Sequence, residues 1–208
     1  DYVWDGVKRD RLVWYGDLHP EMLALTSLYG PTKQIENSID LARKEYPLPA
    51  WLNNFPSYSM WWAIIVSDYY FATKRTSFVK KQLPYLSGLV DQMQNFVDDD
   101  GTLKYPYYFL DWPSFETEAA VEGTRAINVI ALQKTVALFK EFGFSTKNAE
   151  ELLGKLKKQE INDCGRKSVI ALKCLSLGRT DKEDFDALVS DGVAGISTFM
   201  SYYVLKAI

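Results

Sequence analysis

Apolar residues recur along the chain at the spacing of amphipathic helices, and the strict alternation of a half-buried strand is scarce. Glycine and proline divide this pattern into segments of helical length; Gly30 ends the first segment and Pro31 begins the next. Helices are predicted over residues 20–29, 31–45, 57–73, 77–97, 118–142, 146–160, 166–177, 182–189 and 196–208. The sequence therefore predicts an all-α protein.

The predicted helices are of two kinds that alternate along the chain. In residues 31–45 the side chains of Ile35, Ile39 and Ala42 share one face, and the charged residues lie elsewhere. Residues 57–73 instead carry apolar side chains in almost every direction, which predicts a helix that is buried on most sides. This alternation predicts an (α/α) toroid, in which an outer ring of helices encloses an inner ring.

One alternative fold accompanies this prediction. A solenoid of helix pairs also alternates, but its repeats have a steady length and a recurring consensus, and we find no internal repeat in this chain. We count about four and a half hairpins, so we expect an incomplete part of an (α/α)6 barrel.

Within residues 77–97, Pro84 predicts either a kink or the first turn of a new helix.

Composition narrows the classes of partner. The chain has 208 residues, enough for one domain, and its 24 basic and 27 acidic residues nearly cancel. No basic block is present, so we predict no nucleic-acid partner, and the apolar run at residues 60–66 is too short to predict a membrane span.

With His19 as the single histidine, no metal or other cofactor is predicted, and Cys164 and Cys174 are expected to be reduced and buried. A cytoplasmic and an extracytoplasmic location both remain open.

The most unusual stretch lies at residues 4–21, just before the first predicted helix. It combines carboxylates, cations and aromatic rings, which are Asp5, Asp10, Asp17, Lys8, Arg9, Arg11, Trp4, Trp14 and Tyr15. Aromatic faces beside charged groups suit a sugar ring, which has one apolar side and many hydroxyl groups. On the residues alone, a binding or catalytic loop and a structural loop are equally open.

The spacing in this stretch resembles a known family. Residues 5–17, DGVKRDRLVWYGD, are similar to the catalytic-loop signature of the α-L-rhamnosidases of glycoside hydrolase family 78. Residues 56–59, 99–101 and 109–112 also resemble that family, and the likeness extends from Asp5 to about Tyr203. The resemblance implies an (α/α)6 catalytic domain, of which residues 1–208 are a portion, with residues 1–20 as the catalytic loop and 21–208 as alternating inner and outer helices.

The resemblance also implies the roles of the charged residues. The three carboxylates of the family's motif fall on Asp5, Asp10 and Asp17, and Asp10 stands where the family usually has a glutamate as general acid. Arg9 and Arg11 are expected to hold the carboxylates and sugar hydroxyls by charge-assisted hydrogen bonds. Such cations lower the pKa of a neighbouring carboxyl group, whereas a general acid needs a raised pKa.

The family inverts the anomeric centre and uses a glutamate after a Thr-x-Trp-Glu-like stretch as general base. No Trp-Glu pair occurs in this sequence, so the base is expected beyond Ile208 and the chain alone is expected to be inactive. The implied function is removal of terminal α-L-rhamnose from a glycan or glycoside. The implied partners are this carbohydrate substrate and the remaining domains of the full-length enzyme. The alternatives are another six-hairpin glycosidase that acts on a different sugar, and a helical scaffold without catalysis.

Further candidate residues lie outside the central carboxylates. The resemblance implies that Trp112 stacks on the sugar or walls its pocket and that Asp111 binds hydroxyl groups, although an aromatic loop that seals the toroid is the alternative. Trp14 either walls the pocket or braces the loop. Residues 98–101, DDDG, could suggest a metal cluster, but a turn after a helix is the favoured interpretation. His19 is expected to order the loop or the start of the first helix.

Overall fold

Ten α-helices and no β-strand are found in the residues that the computed structural model describes, which are 1–6 and 8–208. The helices are α1 (Leu18–Tyr29), α2 (Lys33–Glu45), α3 (Pro56–Thr73), α4 (Thr76–Lys80), α5 (Leu83–Gln94), α6 (Glu118–Phe142), α7 (Lys147–Leu156), α8 (Lys167–Leu177), α9 (Lys182–Val189) and α10 (Thr198–Ala207). Short 3-10 turns occur at Leu52–Asn54 and Trp112–Ser114. The prediction of an all-α protein is confirmed.

Local sequence signals set many of the helix ends. Four N-cap side chains accept a hydrogen bond from a backbone N–H in the first turn of α2, α6, α9 or α10, and these are Thr32, Thr117, Asp181 and Ser197. Gly143 and Gly178 end α6 and α8 in the left-handed conformation that glycine adopts without a steric cost. The helix boundaries are therefore largely a local property of the sequence.

Pro84 divides the long helix that was predicted over residues 77–97. Helix α4 ends at Lys80, and α5 begins at Leu83 with Pro84 in its first turn. A proline is tolerated there because the first N–H groups of a helix have no partner within the helix. Of the two alternatives, the new first turn is correct.

The broadly apolar helices form the centre of the structure. Helix α3 is buried along most of its length and packs against α1 and α6, while α8 packs against both α6 and α10. The amphipathic helices α2, α7 and α9 each bury one face against α3, α6 and α8, respectively. Across the centre, the Trp61 ring of α3 lies against the Tyr203 ring of α10, with 4.6 Å between the ring centroids.

The N-terminal ends of four apolar helices lie close together. The loop before α1, the first turn of α3 and the loop before α6 line one cavity, and the N-cap residue of α10 is hydrogen-bonded to the loop before α6. Chain segments that are far apart in sequence therefore meet at one end of the helices.

Two further predictions concern membrane-spanning helices and the cysteines. No helix within residues 1–6 and 8–208 is both long and apolar enough to cross a bilayer. Cys174 is buried, as predicted, and both cysteines are free thiols. The prediction that Cys164 is buried is wrong: it is only partly buried, because it lies in the turn between α7 and α8.

Candidate active site

The motif loop, residues 1–17, folds back on itself before α1. The backbone N–H of Asp5 donates to the carbonyl oxygen of Leu12 at 3.0 Å, and that of Arg9 donates to the carbonyl of Gly6 at 2.7 Å. Gly6 has a φ of +58°, and a Cβ atom there would lie 3.3 Å from Oδ2 of Asp10. Glycine is therefore needed at this position both for the backbone conformation and for the close approach of Asp10.

Asn53, in the 3-10 turn before α3, fixes the second half of the motif loop. Its side-chain oxygen accepts a hydrogen bond from the backbone N–H of Tyr15, and its Nδ2 donates to the carbonyl of Val13, both at 3.1 Å. Asn53 has a φ of +49°, in the left-handed region that asparagine tolerates better than most residues. The buried Tyr15 hydroxyl also donates to the carbonyl of Ser38, so the loop is tied to α2 as well.

The loop and its neighbours enclose a cavity of about 90 Å³. Its lining consists of Asp5, Arg9, Asp10, Trp14, Asp17, Phe55, Tyr58, Phe109 and Trp112. All of the site residues predicted from the sequence line it except Arg11 and Asp111. A larger and more open groove of about 700 Å³ lies beside α1 and α10, but its lining is mostly apolar, with Asp68 and Lys206 as its charged residues.

Aromatic rings form one side of this cavity. Phe55 and Phe109 stack with their centroids 4.4 Å apart, and Trp112 meets Phe109 edge-on at 5.2 Å. Trp112 is 72% exposed, which suits an open wall better than a plug that seals the structure. Trp14 lines the cavity and also contacts Tyr58 edge-on at 5.9 Å, so its position is compatible with both of its predicted roles.

Asp10 is held in an ion pair by the neighbouring arginine. The Nε and Nη2 atoms of Arg9 lie 2.8 and 2.7 Å from Oδ1 and Oδ2 of Asp10, in a forked arrangement. This hydrogen bonding keeps the pKa of Asp10 below its ordinary value, and a hydrogen bond from the Trp14 side chain adds to the effect. The predicted role of Asp10 as general acid stays a prediction, but its surroundings favour the ionised form.

The surroundings of Asp17 favour its protonated form, in contrast to those of Asp10. Burial raises its pKa to about 6, and the negative charge of Asp5 contributes to this rise. Glu21 follows one helical turn later, where burial, Asp5 and Asp17 raise its pKa to about 7. The sequence reasoning missed Glu21, because the first helix was predicted to begin at residue 20 and the four-residue spacing from Asp17 therefore did not indicate one helical turn.

Asp111 and Arg11 lie outside the cavity lining. The buried Asp111 carboxylate accepts hydrogen bonds from the hydroxyl groups of Ser114 and, at 2.7 Å, Ser197. Ser197 is the N-cap residue of α10, so Asp111 connects the loop before α6 to that helix. Arg11 is exposed. Sugar contacts by these two residues stay predictions.

His19 connects α1 to two other helices. Its Nε2 lies 2.9 Å from Oδ2 of Asp68 on α3, and its Nδ1 lies 3.0 Å from the hydroxyl of Tyr203 on α10. Burial lowers the pKa of His19, so the ring is neutral at physiological pH. These contacts agree with the prediction that His19 orders the start of the first helix.

The aspartates of residues 98–101 form a turn. The Asp100 carboxylate accepts a hydrogen bond from the backbone N–H of Thr102 at 2.9 Å, and Gly101 has a φ of +88°. Asp98 and Asp99 are paired with Lys104 and Lys155. Within the described residues there is no cluster of side chains suited to a metal ion, and the turn interpretation agrees with the geometry.

Neither a family model nor a curated protein matches the chain.

Proposed function

We propose that this protein is an inverting glycoside hydrolase that resembles the α-L-rhamnosidases and removes terminal α-L-rhamnose from glycans or glycosides. One observation carries the proposal. The motif carboxylates Asp5, Asp10 and Asp17 line the same cavity as the exposed Trp112, which belongs to a loop about 100 positions further along the chain.

The chemistry of the cavity suits a sugar. An aromatic ring such as Trp112 offers a flat apolar surface to the C–H face of a pyranose, and the carboxylates that line the same cavity can accept hydrogen bonds from hydroxyl groups. Arg9, which pairs with Asp10, can donate hydrogen bonds to the same ligand from its remaining N–H groups.

The proposed reaction uses two carboxyl groups. One carboxyl group of the motif loop protonates the glycosidic oxygen, and a glutamate that acts as general base removes a proton from the water that attacks the opposite face of the sugar. We propose that this glutamate lies in a part of the protein outside the present sequence, in which no Trp-Glu pair occurs. The chain alone is then inactive, although it can still bind the sugar.

We further propose that the helices belong to an (α/α)6 toroid. In support, each apolar helix contacts the next, α1 with α3, α3 with α6, α6 with α8 and α8 with α10, and amphipathic helices pack against three of them. Tyr203 of α10 also contacts α1 and α3. Leu205 on α10 and Val193 before it are 72% and 86% exposed, and both line an apolar groove that suits a further helical hairpin of such a ring.

Hydrolysis of a panel of aryl glycosides by the intact protein tests the proposal. An aryl α-L-rhamnoside should be hydrolysed, and aryl α-L-fucoside, α-D-mannoside and β-D-glucoside should react far more slowly. Turnover of another sugar alone would indicate a different six-hairpin glycosidase, and no turnover of any glycoside would indicate a scaffold. The exposed Glu160 provides a control, because Glu160→Gln should leave the rates unchanged.

A further inference from the structure

Six tyrosine side chains are buried in the part of the chain that the structure describes, and five of them have a hydrogen-bond partner for the hydroxyl group. These five and their partners are Tyr15 with the Ser38 carbonyl, Tyr69 with Glu36, Tyr70 with Glu141, Tyr105 with Asn128 and Tyr203 with His19. The exception is Tyr58, which is 6% exposed and whose hydroxyl group has no hydrogen-bond partner within residues 1–6 and 8–208. A buried phenol normally has such a partner, because the loss of water from an unpaired hydroxyl group is costly.

The position of Tyr58 places its hydroxyl group at the cavity. Tyr58 lies in the first turn of α3 and lines the cavity. Its oxygen atom is not fully enclosed by protein atoms, so it is accessible from the cavity that the residue lines. A Cβ atom on Gly16 would lie 3.1 Å from Cζ of Tyr58, the ring carbon that bears the hydroxyl group. The phenol therefore lies against the motif loop, at the residue that precedes Asp17.

Three aromatic rings hold the ring of Tyr58 in place. Its centroid lies 5.4 Å from that of Phe55, 5.7 Å from that of Phe109 and 5.9 Å from that of Trp14. A ring that is packed on several sides in this way keeps one orientation. The hydroxyl group is thus presented to a ligand with little further loss of side-chain freedom.

The cavity offers a ligand more hydrogen-bond acceptors than donors. The ionised carboxylates of the motif loop can only accept, and both Arg9 and Trp14 already donate to Asp10. Burial raises the pKa of Tyr58, so its phenol keeps the proton at physiological pH. Tyr58 is therefore a neutral donor that is not engaged by another group of the described chain.

We propose that Tyr58 is a specificity-determining residue whose hydroxyl group donates a hydrogen bond to one hydroxyl group of the bound sugar. This inference rests on the proposed function. The same sugar hydroxyl can donate its own proton to a carboxylate of the motif loop, because a hydroxyl group both donates and accepts. A sugar that lacks this hydroxyl group leaves the phenol unpaired, and the site discriminates against it.

Thermal unfolding of two matched variants tests whether protein groups already pair with the hydroxyl. Tyr58→Phe removes a hydroxyl group that has no protein partner and should leave the melting temperature within about 1 °C of the wild type. Tyr105 is equally buried, but its hydroxyl donates to Oδ1 of Asn128 at 2.7 Å. Tyr105→Phe should therefore lower the melting temperature by about 2–8 °C. A fall of similar size in both variants would overturn the proposal.

Binding of sugars to the intact protein tests the contact itself by isothermal titration calorimetry. Tyr58→Phe should bind L-rhamnose about 3-fold to 10-fold more weakly than the wild type, the range of one neutral hydrogen bond, and Tyr105→Phe should bind it as tightly as the wild type. The 2-deoxy, 3-deoxy and 4-deoxy forms of L-rhamnose identify the hydroxyl group. For one of them, the loss of affinity should be at least about 3-fold larger in the wild type than in Tyr58→Phe.

The outcomes separate this inference from the proposed function. If the wild type binds L-rhamnose and Tyr58→Phe binds it equally tightly, the role of Tyr58 is overturned while the proposed function stands. Equal losses of affinity in both proteins for every deoxy sugar lead to the same conclusion. If the wild-type protein does not bind L-rhamnose, the proposed function itself fails, and the role of Tyr58 fails with it.

Discussion

The hydroxyl group of Ser197 donates a hydrogen bond to the carboxylate of Asp111 at 2.7 Å, although the two residues are 86 positions apart in the sequence. Ser197 caps α10, and Asp111 directly precedes Trp112 in the loop before α6. This bond therefore fixes the exposed Trp112 relative to the end of the helices at which the motif loop lies.

Replacement of Asp111 tests this structural role. Asp111→Ala should lower the free energy of unfolding by about 2–4 kcal/mol, because it removes a buried carboxylate that accepts hydrogen bonds from two serine hydroxyls. Chemical denaturation provides the measurement, with the exposed Glu160→Ala as control. An equal, small effect of both variants would contradict the structural role.

Trp112 should contribute to ligand binding and little to stability. It is 72% exposed, so Trp112→Ala should leave the melting temperature nearly unchanged while weakening the binding of a rhamnoside by on the order of 10-fold. Trp4 is also partly exposed, at 42%, but lies outside the cavity lining, and Trp4→Ala is therefore the matched control. Isothermal titration calorimetry with both variants measures the difference. Equal affinities would show that Trp112 does not contact the sugar.

Gly16 holds the motif loop against α3. A Cβ atom at Gly16 would lie 2.9 Å from Cε1 of Tyr58, closer than side chains pack. Gly16→Ala should therefore destabilise the protein by about 1–3 kcal/mol. Gly154 in α7 has open space around it, and Gly154→Ala should stabilise the protein by about 0.5–1 kcal/mol. Thermal unfolding of the two variants should move in opposite directions, and shifts of the same sign would contradict this packing.

The carboxyl groups of Asp17 and Glu21 should make stability depend on pH in a defined direction. Folding raises their pKa values to about 6 and about 7, so the folded state binds more protons than the unfolded state over this range. Their stabilising contribution is complete below about pH 4 and is lost as the pH rises to about 7.

A double variant isolates this contribution. Between pH 4 and pH 8, the free energy of unfolding of Asp17→Asn with Glu21→Gln should rise by roughly 3 kcal/mol relative to that of the wild type. This figure is smaller than the two pKa shifts would give in full, because both side chains are partly exposed and solvent screens their charges. Urea unfolding across this pH range measures the difference. A constant difference between the two proteins would show that neither pKa is raised.

Much of the fold follows from local sequence signals. The predicted bounds of α6 and α9 are those observed, because Thr117 and Asp181 cap their first turns and the apolar spacing continues to their ends. The segment predicted over residues 146–160 ends earlier, at Leu156. There Lys158 and Gln159 hydrogen-bond to the turn at residues 98–101, a tertiary interaction that spacing along the chain does not reveal.

The candidate site was predictable only in part. Asp5, Asp10 and Asp17 are close in sequence, so their meeting in one cavity followed from the motif. The contributions of Phe55 and Tyr58, and the contact of Asp111 with Ser197, depend on how distant helices pack. The difference between the carboxyl groups of Asp10 and Asp17 likewise depends on burial, which a spacing pattern does not contain.

The anomeric form of the first rhamnose released from an aryl α-L-rhamnoside tests the central claim most directly. Proton NMR of the intact protein with this substrate, recorded before mutarotation, should show β-L-rhamnose, since the proposed mechanism inverts the anomeric centre. Initial release of α-L-rhamnose, or no release of rhamnose, would contradict the account.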